Sequence, residues 1–151
     1  TGPLIKLNIT GAGGITLKDA WAAGPRTYLG LQMPGFPNLF TITGPGSPSV
    51  LTNMPVAIEQ HVDWITDCIR RMRDTGKSRI EPEPDATERW GAHVQEAANA
   101  TLLPMASSSW YLGANVPGKP RVFMPYAGGL ARYRQICDDI ARDGYRGFTM
   151  S

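Results

Sequence analysis

The run Gly44-Pro45-Gly46-Ser47-Pro48-Ser49 restricts this chain more tightly than any other stretch of its 151 residues. Each proline fixes its own φ at about −65° and pushes the residue before it toward extended backbone. Each glycine opens the left-handed region. Neither residue type continues a helix or a central strand, so the chain must turn here with little freedom to hinge. Before the turn lies Leu39-Phe40-Thr41-Ile42-Thr43, apolar and β-branched, which reads as a short buried strand between Pro37 and Gly44. After it, Thr52 or Asn53 can cap a helix that carries Pro55 in its first turn. Ile58, Val62, Ile65, Ile69 and Met72 recur at steps of three and four and predict one apolar face. Arg70, Arg71 and Arg73 suit the negative end of the helix, and Gly76 stops it. The expected order is strand, stiff exposed turn, long helix.

The same punctuation recurs throughout. Glycine and proline number 17 and 13, about a fifth of the chain, so much of the backbone is loop. An apolar fraction of 42% still supports a packed core and excludes wholesale disorder. A net charge of +2 gives no field that would favour nucleic acid or an anionic membrane. Two cysteines cannot build a disulfide scaffold, and with two histidines they make a poor zinc set. No apolar run reaches the roughly 18 residues that span a bilayer. Together these features predict a cytoplasmic, loop-rich globular chain. It starts at Thr1 rather than Met and enters directly into a strand-like run, which suggests a piece of something larger.

Along the chain, Leu4–Ile9 alternates as a strand and Gly11–Gly14 turns it toward Ile15–Leu17. Residues 22–38 read as ordered loop, and 82–84 as a linker. Asp85-x-x-Glu88 resembles a capping box opening a second helix, with Trp90, Val94, Ala97 and Thr101 on its face and Pro104 beyond its end. Residues 105–121 form a long loop around Trp110-Tyr111, and Val122–Tyr126 a strand. A third helix runs from Gly128-Gly129 to Gly144 with Leu130, Tyr133, Ile136, Cys137 and Ile140 on one side, before a short strand at Phe148–Met150.

Few motifs survive inspection. Gly113 to Pro120 matches seven of the eight positions of a phosphate-binding loop. Pro120 replaces the Ser or Thr that would hold magnesium, and no helix follows. Gly11-Ala12-Gly13-Gly14 lacks the third glycine and the helix of a dinucleotide fingerprint. His61 and His93 read as helix-surface or satisfied histidines, and Cys68 and Cys137 as small buried hydrophobes. Two segments keep two readings open. The turn before the long helix is either a stiff connection or a device that aims a helix N-terminus at an electron-rich partner. Trp110-Tyr111 is either a loop pinned to the core or a pair of aromatics that closes over a flat ligand.

Longer blocks carry a resemblance. Gly24-Pro25-Arg26-Thr27-Tyr28-Leu29-Gly30, Gly35-Phe36-Pro37-Asn38-Leu39-Phe40 and Gly44 through Val62 resemble the C-terminal part of a Baeyer–Villiger monooxygenase. Trp110-Tyr111-x-Gly113-Ala114-Asn115-Val116-Pro117-Gly118-Lys119-Pro120-Arg121 and Tyr133-Arg134-x-Ile136-Cys137-Asp138 continue the match in order. The similarity is greatest to the phenylacetone and steroid monooxygenase branch, and Ala106–Ser109 is one residue longer than the pattern.

This resemblance implies an α/β fold: the C-terminal segment of a flavoprotein with two dinucleotide-binding domains, contributing a strand and helices to the FAD domain plus long loops. Residues 1–20 would end the NADP-domain side, 21–80 supply the FAD-domain strand and helix, and 81–151 hold the C-terminal helices and mobile loop. The family's two nucleotide fingerprints and catalytic arginine lie upstream, so no catalytic residue or metal ligand is expected here, and the chain alone is expected to be inactive. The implied cofactors are FAD and NADP, and the implied reactants a ketone and O₂. Thr52, Asn53 and Met54 would face the flavin, Trp110 the nicotinamide nucleotide, and Ser49, Val50, Leu51 and Met54 the substrate. Rival readings are a non-catalytic ligand-binding or interaction fragment and a related flavin N-hydroxylase.

Overall fold

The computed structural model describes residues 2–105, 110–113, 118 and 121–151. Among the described residues, five α-helices and a two-stranded ribbon are joined by loops. They are α1 (Gly2–Lys6), α2 (Leu17–Ala20), α3 (Met54–Asp74), β1 (Ile80–Pro82), α4 (Pro84–Asn99), α5 (Leu130–Arg142) and β2 (Phe148–Met150). The long helix begins where its sequence dictates: the Asn53 side chain accepts from the Val56 N–H and Pro55 sits in the first turn. The helix packs on α5, and the Trp64 indole N–H donates to the Cys137 carbonyl at 2.9 Å. Around this contact lies an aromatic core of Tyr28, Trp64, Trp90, Tyr126, Tyr133, Tyr145 and Phe148. Trp64 meets Tyr145 edge-on with centroids 5.2 Å apart, and Trp90 stacks on Tyr126 at 5.4 Å. A smaller core of Leu17, Trp21, Met33 and Phe36 lies under the N-terminal loops.

The face that α3 buries is not the one its periodicity predicts. Ala57, Gln60, His61, Trp64, Cys68 and Met72 point inward. Ile58, Val62 and Ile69 remain 38%, 42% and 52% exposed. The two sets lie roughly 100° apart around the helix, with Ile65 half-buried at their seam. The helix is therefore apolar over about half its circumference, and this chain covers only one side of that arc.

Further expectations give way, mostly because the backbone finds a partner other than the assumed one. Leu4–Ile9 is no strand: α1 forms with Pro3 in its first turn, Leu7 is exposed, and only Ile9 at its end is bonded across, its carbonyl accepting from the Leu17 N–H at 2.9 Å. Leu39–Thr43 forms no ladder. The Thr41 N–H donates to Leu31 O at 2.8 Å and the Thr43 N–H to the His61 ring. The alternate N–H groups of Phe40 and Ile42 make no bond among the described residues. Val122–Tyr126 bonds to the 44–48 turn instead of a strand, Gly46 N–H to Met124 O at 2.7 Å and Tyr126 N–H to Ser47 O at 2.7 Å. That turn is consequently buried at Gly44 and at residues 46–48 rather than exposed. The supposed linker 82–84 holds the end of β1, antiparallel to β2 with Ile80 opposite Met150 and Pro82 opposite Phe148. Helix α4 then starts at Pro84 with Glu83 as its N-cap, so the box from Asp85 does not form.

The second and third helices otherwise bury the predicted sides. Trp90 and Val94 on α4 and Tyr133, Cys137 and Ile140 on α5 enter the core, and both cysteines are free and buried. Truncating Trp64 to Ala removes a fully packed ring and its bond, an expected loss of about 3–5 kcal/mol. Ile69→Ala, on the side that periodicity marks as core, changes stability of this chain by no more than about 0.5 kcal/mol. Denaturant titration of the two variants checks this ranking.

Candidate functional site

Helix α3 presents a bare positive end. Its first turn contains no acidic residue. Pro55 has no N–H, Val56 is taken by the Asn53 side chain at 3.3 Å, and Ala57 donates to Asn53 O at 3.1 Å. The backbone N–H groups of Asn53 and Met54 have no acceptor among the described residues. Two unpaired donors and the aligned peptide dipoles favour an anionic or electron-rich group here. Just before them, Ser49–Leu51 form a single 3-10 turn, with Ser49 at φ +45° and the Leu51 and Thr52 N–H groups bonded back to Pro48 and Ser49. Ser49, Leu51, Thr52 and Met54 are half-buried and Asn53 is exposed. The side chain of Val50 lies outside what is described.

The turn that carries this end is held from every side. The Trp90 indole N–H donates to Gly46 O at 3.1 Å, and the Thr27 hydroxyl donates to Pro45 O at 2.5 Å. Ser47 Oγ closes the turn internally on Gly44 O at 2.7 Å. Glycines are needed here for space, and a Cβ on Gly44 would come within 2.5 Å of Gly30 O. A Cβ on Gly46, which has φ +87°, would lie 3.0 Å from Thr27 Oγ1 and 3.1 Å from the Trp90 nitrogen. A Cβ on Gly30, at φ +72°, would come within 2.6 Å of Ser47. The remaining anchor is His61, fully buried on α3, whose Nδ1 accepts from the Thr43 N–H at 3.0 Å.

A groove of about 280 Å³ opens beside the same turn, lined by Arg26, Thr27, Gly46, Glu88 and Trp90 among others, with Arg26 and Glu88 joined as an ion pair. None of residues 49–54 lines it, so it is separate from the space before α3. The thiols of Cys68 and Cys137 are pushed up to about 12 by burial, which keeps them protonated and inert. Among the described residues no group of three or more His, Cys, Asp or Glu could hold a metal ion, and no helix is long and apolar enough to cross a membrane.

No protein-family model matches the chain. Individual proteins do. The acetone monooxygenase (methyl acetate-forming) of Gordonia sp. (strain TY-5) is 43% identical over 152 residues, covering 100% of this chain and 28% of that protein. An oxidized steroid monooxygenase bound to NADP superposes with a TM-score of 0.87 at 50% identity, covering 95% of this chain and 26% of the other. Cyclohexanone monooxygenase from Rhodococcus sp. Phi1 bound to NADP+ superposes with a TM-score of 0.94 at 39% identity, covering 99% of this chain and 28% of the other. By sequence and by fold, this chain matches the C-terminal part of Baeyer–Villiger monooxygenases. It spans about a quarter of the length of the curated relatives it matches.

The structure brings Ser49, Leu51, Thr52, Asn53 and Met54 together at one end of α3. These residues fit one edge of a flavin: the uncommitted Asn53 and Met54 N–H groups are donors for a ring edge that becomes negative on reduction. Of Trp110, only the backbone turn Trp110–Leu112 is described. Its side chain lies outside the described residues, as do residues 106–109, 114–117, 119 and 120.

Sequence reading missed the part played by His61. Its only signal was a polar residue between Gln60 and Val62 in a position that a surface stripe also permits. His93 behaves as expected, half-buried with Nε2 3.3 Å from the Tyr126 hydroxyl.

Burial lowers the His61 ring from its usual 6.5 to about 4, with no charged neighbour contributing. The unfolded chain takes up this proton near 6.5 and the folded chain only near 4. Stability from this site is therefore complete above 6.5 and falls as pH drops toward 4, by on the order of 3 kcal/mol. Denaturation midpoints between pH 7.5 and 4 should show this slope in the native chain and its loss in His61→Phe.

Proposed function

We propose that this chain is the C-terminal part of an FAD- and NADPH-dependent, cytoplasmic Baeyer–Villiger monooxygenase that converts a ketone to an ester or lactone with O₂. The supporting observation is the bare N-terminus of α3 within a segment that aligns end to end with these enzymes. When bound, the flavin supplies the oxygen chemistry, and the residues present here hold and shield it. Asn53 and Met54 would offer their N–H groups to the electron-rich ring edge, with Thr52 beside them. Ser49, Val50, Leu51 and Met54 would form the wall against the ketone, and Trp110 would close on the nicotinamide nucleotide. Similarity along the whole of this chain to relatives named as acetone, cyclohexanone and Baeyer–Villiger monooxygenases favours this reading over the non-catalytic fragment and the N-hydroxylase.

The rest of such an enzyme has a place to dock. Ile58, Val62 and Ile69 leave one side of α3 uncovered, and the Phe40 and Ile42 N–H groups have no acceptor among the described residues. This stripe and these donors support the division proposed from the resemblance: 1–20 ending the NADP-domain side, 21–80 completing the FAD domain, and 81–151 carrying the C-terminal helices. The 151 residues alone carry no dinucleotide fingerprint, so purified alone they should show no ketone oxygenation and no retained yellow flavin. Stoichiometric FAD on the isolated chain would overturn this division.

Two substitutions test the site in the complete enzyme. Deleting Ser49 and Val50 should change the kcat/KM ratio between a bulky and a small ketone while flavin content stays near normal. Trp110→Ala should weaken NADP binding and raise peroxide release with little change in Tm. A large fall in Tm at constant NADP affinity would make Trp110 a core anchor instead.

A further inference from the structure

We propose that His61, braced by Tyr133, is a positioning residue that locks the turn ahead of α3, and through it the Ser49–Met54 wall. The inference rests on the placement proposed for that wall but concerns residues to which the resemblance assigns no role. Several non-glycine residues around this region adopt left-handed backbone, among them Leu29 at φ +59° and Thr43 at φ +54°, both ahead of the turn. For a β-branched residue such as Thr43 this is a true outlier that persists only when its surroundings enforce it. Leu29 and Thr43 are each tied to one member of the pair. The Thr43 N–H donates to His61 Nδ1 at 3.0 Å, and the Tyr133 hydroxyl donates to Leu29 O at 2.6 Å.

The pair is itself packed, with the rings edge-to-face at 5.5 Å and 73° and both side chains fully buried. Leu29 also leads into Gly30, which is pressed on Ser47, and the Thr41 hydroxyl donates to Gly30 O at 2.9 Å. The clamp thus reaches the turn by two routes. Accepting at Nδ1 places the single ring proton on Nε2, which is buried and has no partner among the described residues. A residue that only filled space would not require a buried, unsatisfied nitrogen; an apolar ring would fill the same volume at less cost. The polar ring is retained for the acceptor it turns toward Thr43.

Hydrogen exchange on the complete monooxygenase polypeptide separates the clamp from simple filling. His61→Phe keeps the ring volume and removes the acceptor. His61→Asn keeps an acceptor at the position of Nδ1 and leaves a cavity. Positioning predicts opposite rankings: Phe has the higher Tm, yet amides 41–47 exchange about tenfold faster in Phe than in the native protein, while Asn holds them near native rates. Equal exchange in Phe and native protein, or faster exchange in Asn than in Phe, overturns the proposal. Tyr133→Phe offers an independent check, with faster exchange expected at residues 29–31; unchanged exchange there removes the second arm of the clamp. None of these readings requires turnover. A complete polypeptide that oxidises no ketone would therefore refute the proposed activity without touching the clamp.

Discussion

Everything at the functional end of this segment depends on the burial of the turn from Gly44 to Pro48. A proline- and glycine-rich turn is ordinarily a surface feature, because buried backbone must find partners for each N–H and C=O. Here the partners are supplied from three directions: Thr27 from the preceding loop, Trp90 from α4, and Met124 and Tyr126 from the segment before α5, while His61 from α3 holds Thr43 just ahead of the turn. The turn is the point at which otherwise separate parts of the chain are bonded together. Because it runs directly into Ser49–Leu51 and the cap at Asn53, its rigidity passes straight to the start of α3.

That rigidity suits the chemistry proposed for the site. A helix end with two free N–H groups stabilises charge only if it does not have to reorganise as the charge appears. Aromatic packing provides the stiffness. Trp90 bonds Gly46 while stacking on Tyr126, and Tyr133 contacts His61, Trp90 and Tyr126 together. The helix end is thereby fixed to the aromatic core. By contrast, the other side of α3 is left open, and its isoleucines and valine are suited to be covered by polypeptide that this chain does not contain.

Helix starts and stops were legible in the residues because they are governed locally. Asn53 with Pro55, Gly129 before Leu130, and the basic last turn of α3 act within a few positions of themselves. Strands were much less legible. Leu39–Thr43 and Val122–Tyr126 have strand composition, yet what they bond to is a loop carbonyl, a histidine ring and a turn. Composition favours extended backbone but does not name a partner. The candidate site was partly visible: its residues are contiguous from Ser49 to Met54 and follow the stiff turn. His61 was not visible as part of it, since nothing in its neighbours along the chain connects it with Thr43.

The sequence by itself determined where the chain turns, where α3 and α5 begin, and that α3 is apolar over a wide arc. These are consequences of backbone restriction and local capping, which need no distant residue. Only the tertiary structure decided which half of that arc is buried here, that the Gly44–Pro48 turn lies inside rather than outside, and that a neutral histidine holds its entry. Those outcomes depend on which group, far away in sequence, arrives within bonding distance. Trp64 meeting Cys137 selects one side of α3 over an equally apolar neighbour, and no periodicity along a single helix can express that choice.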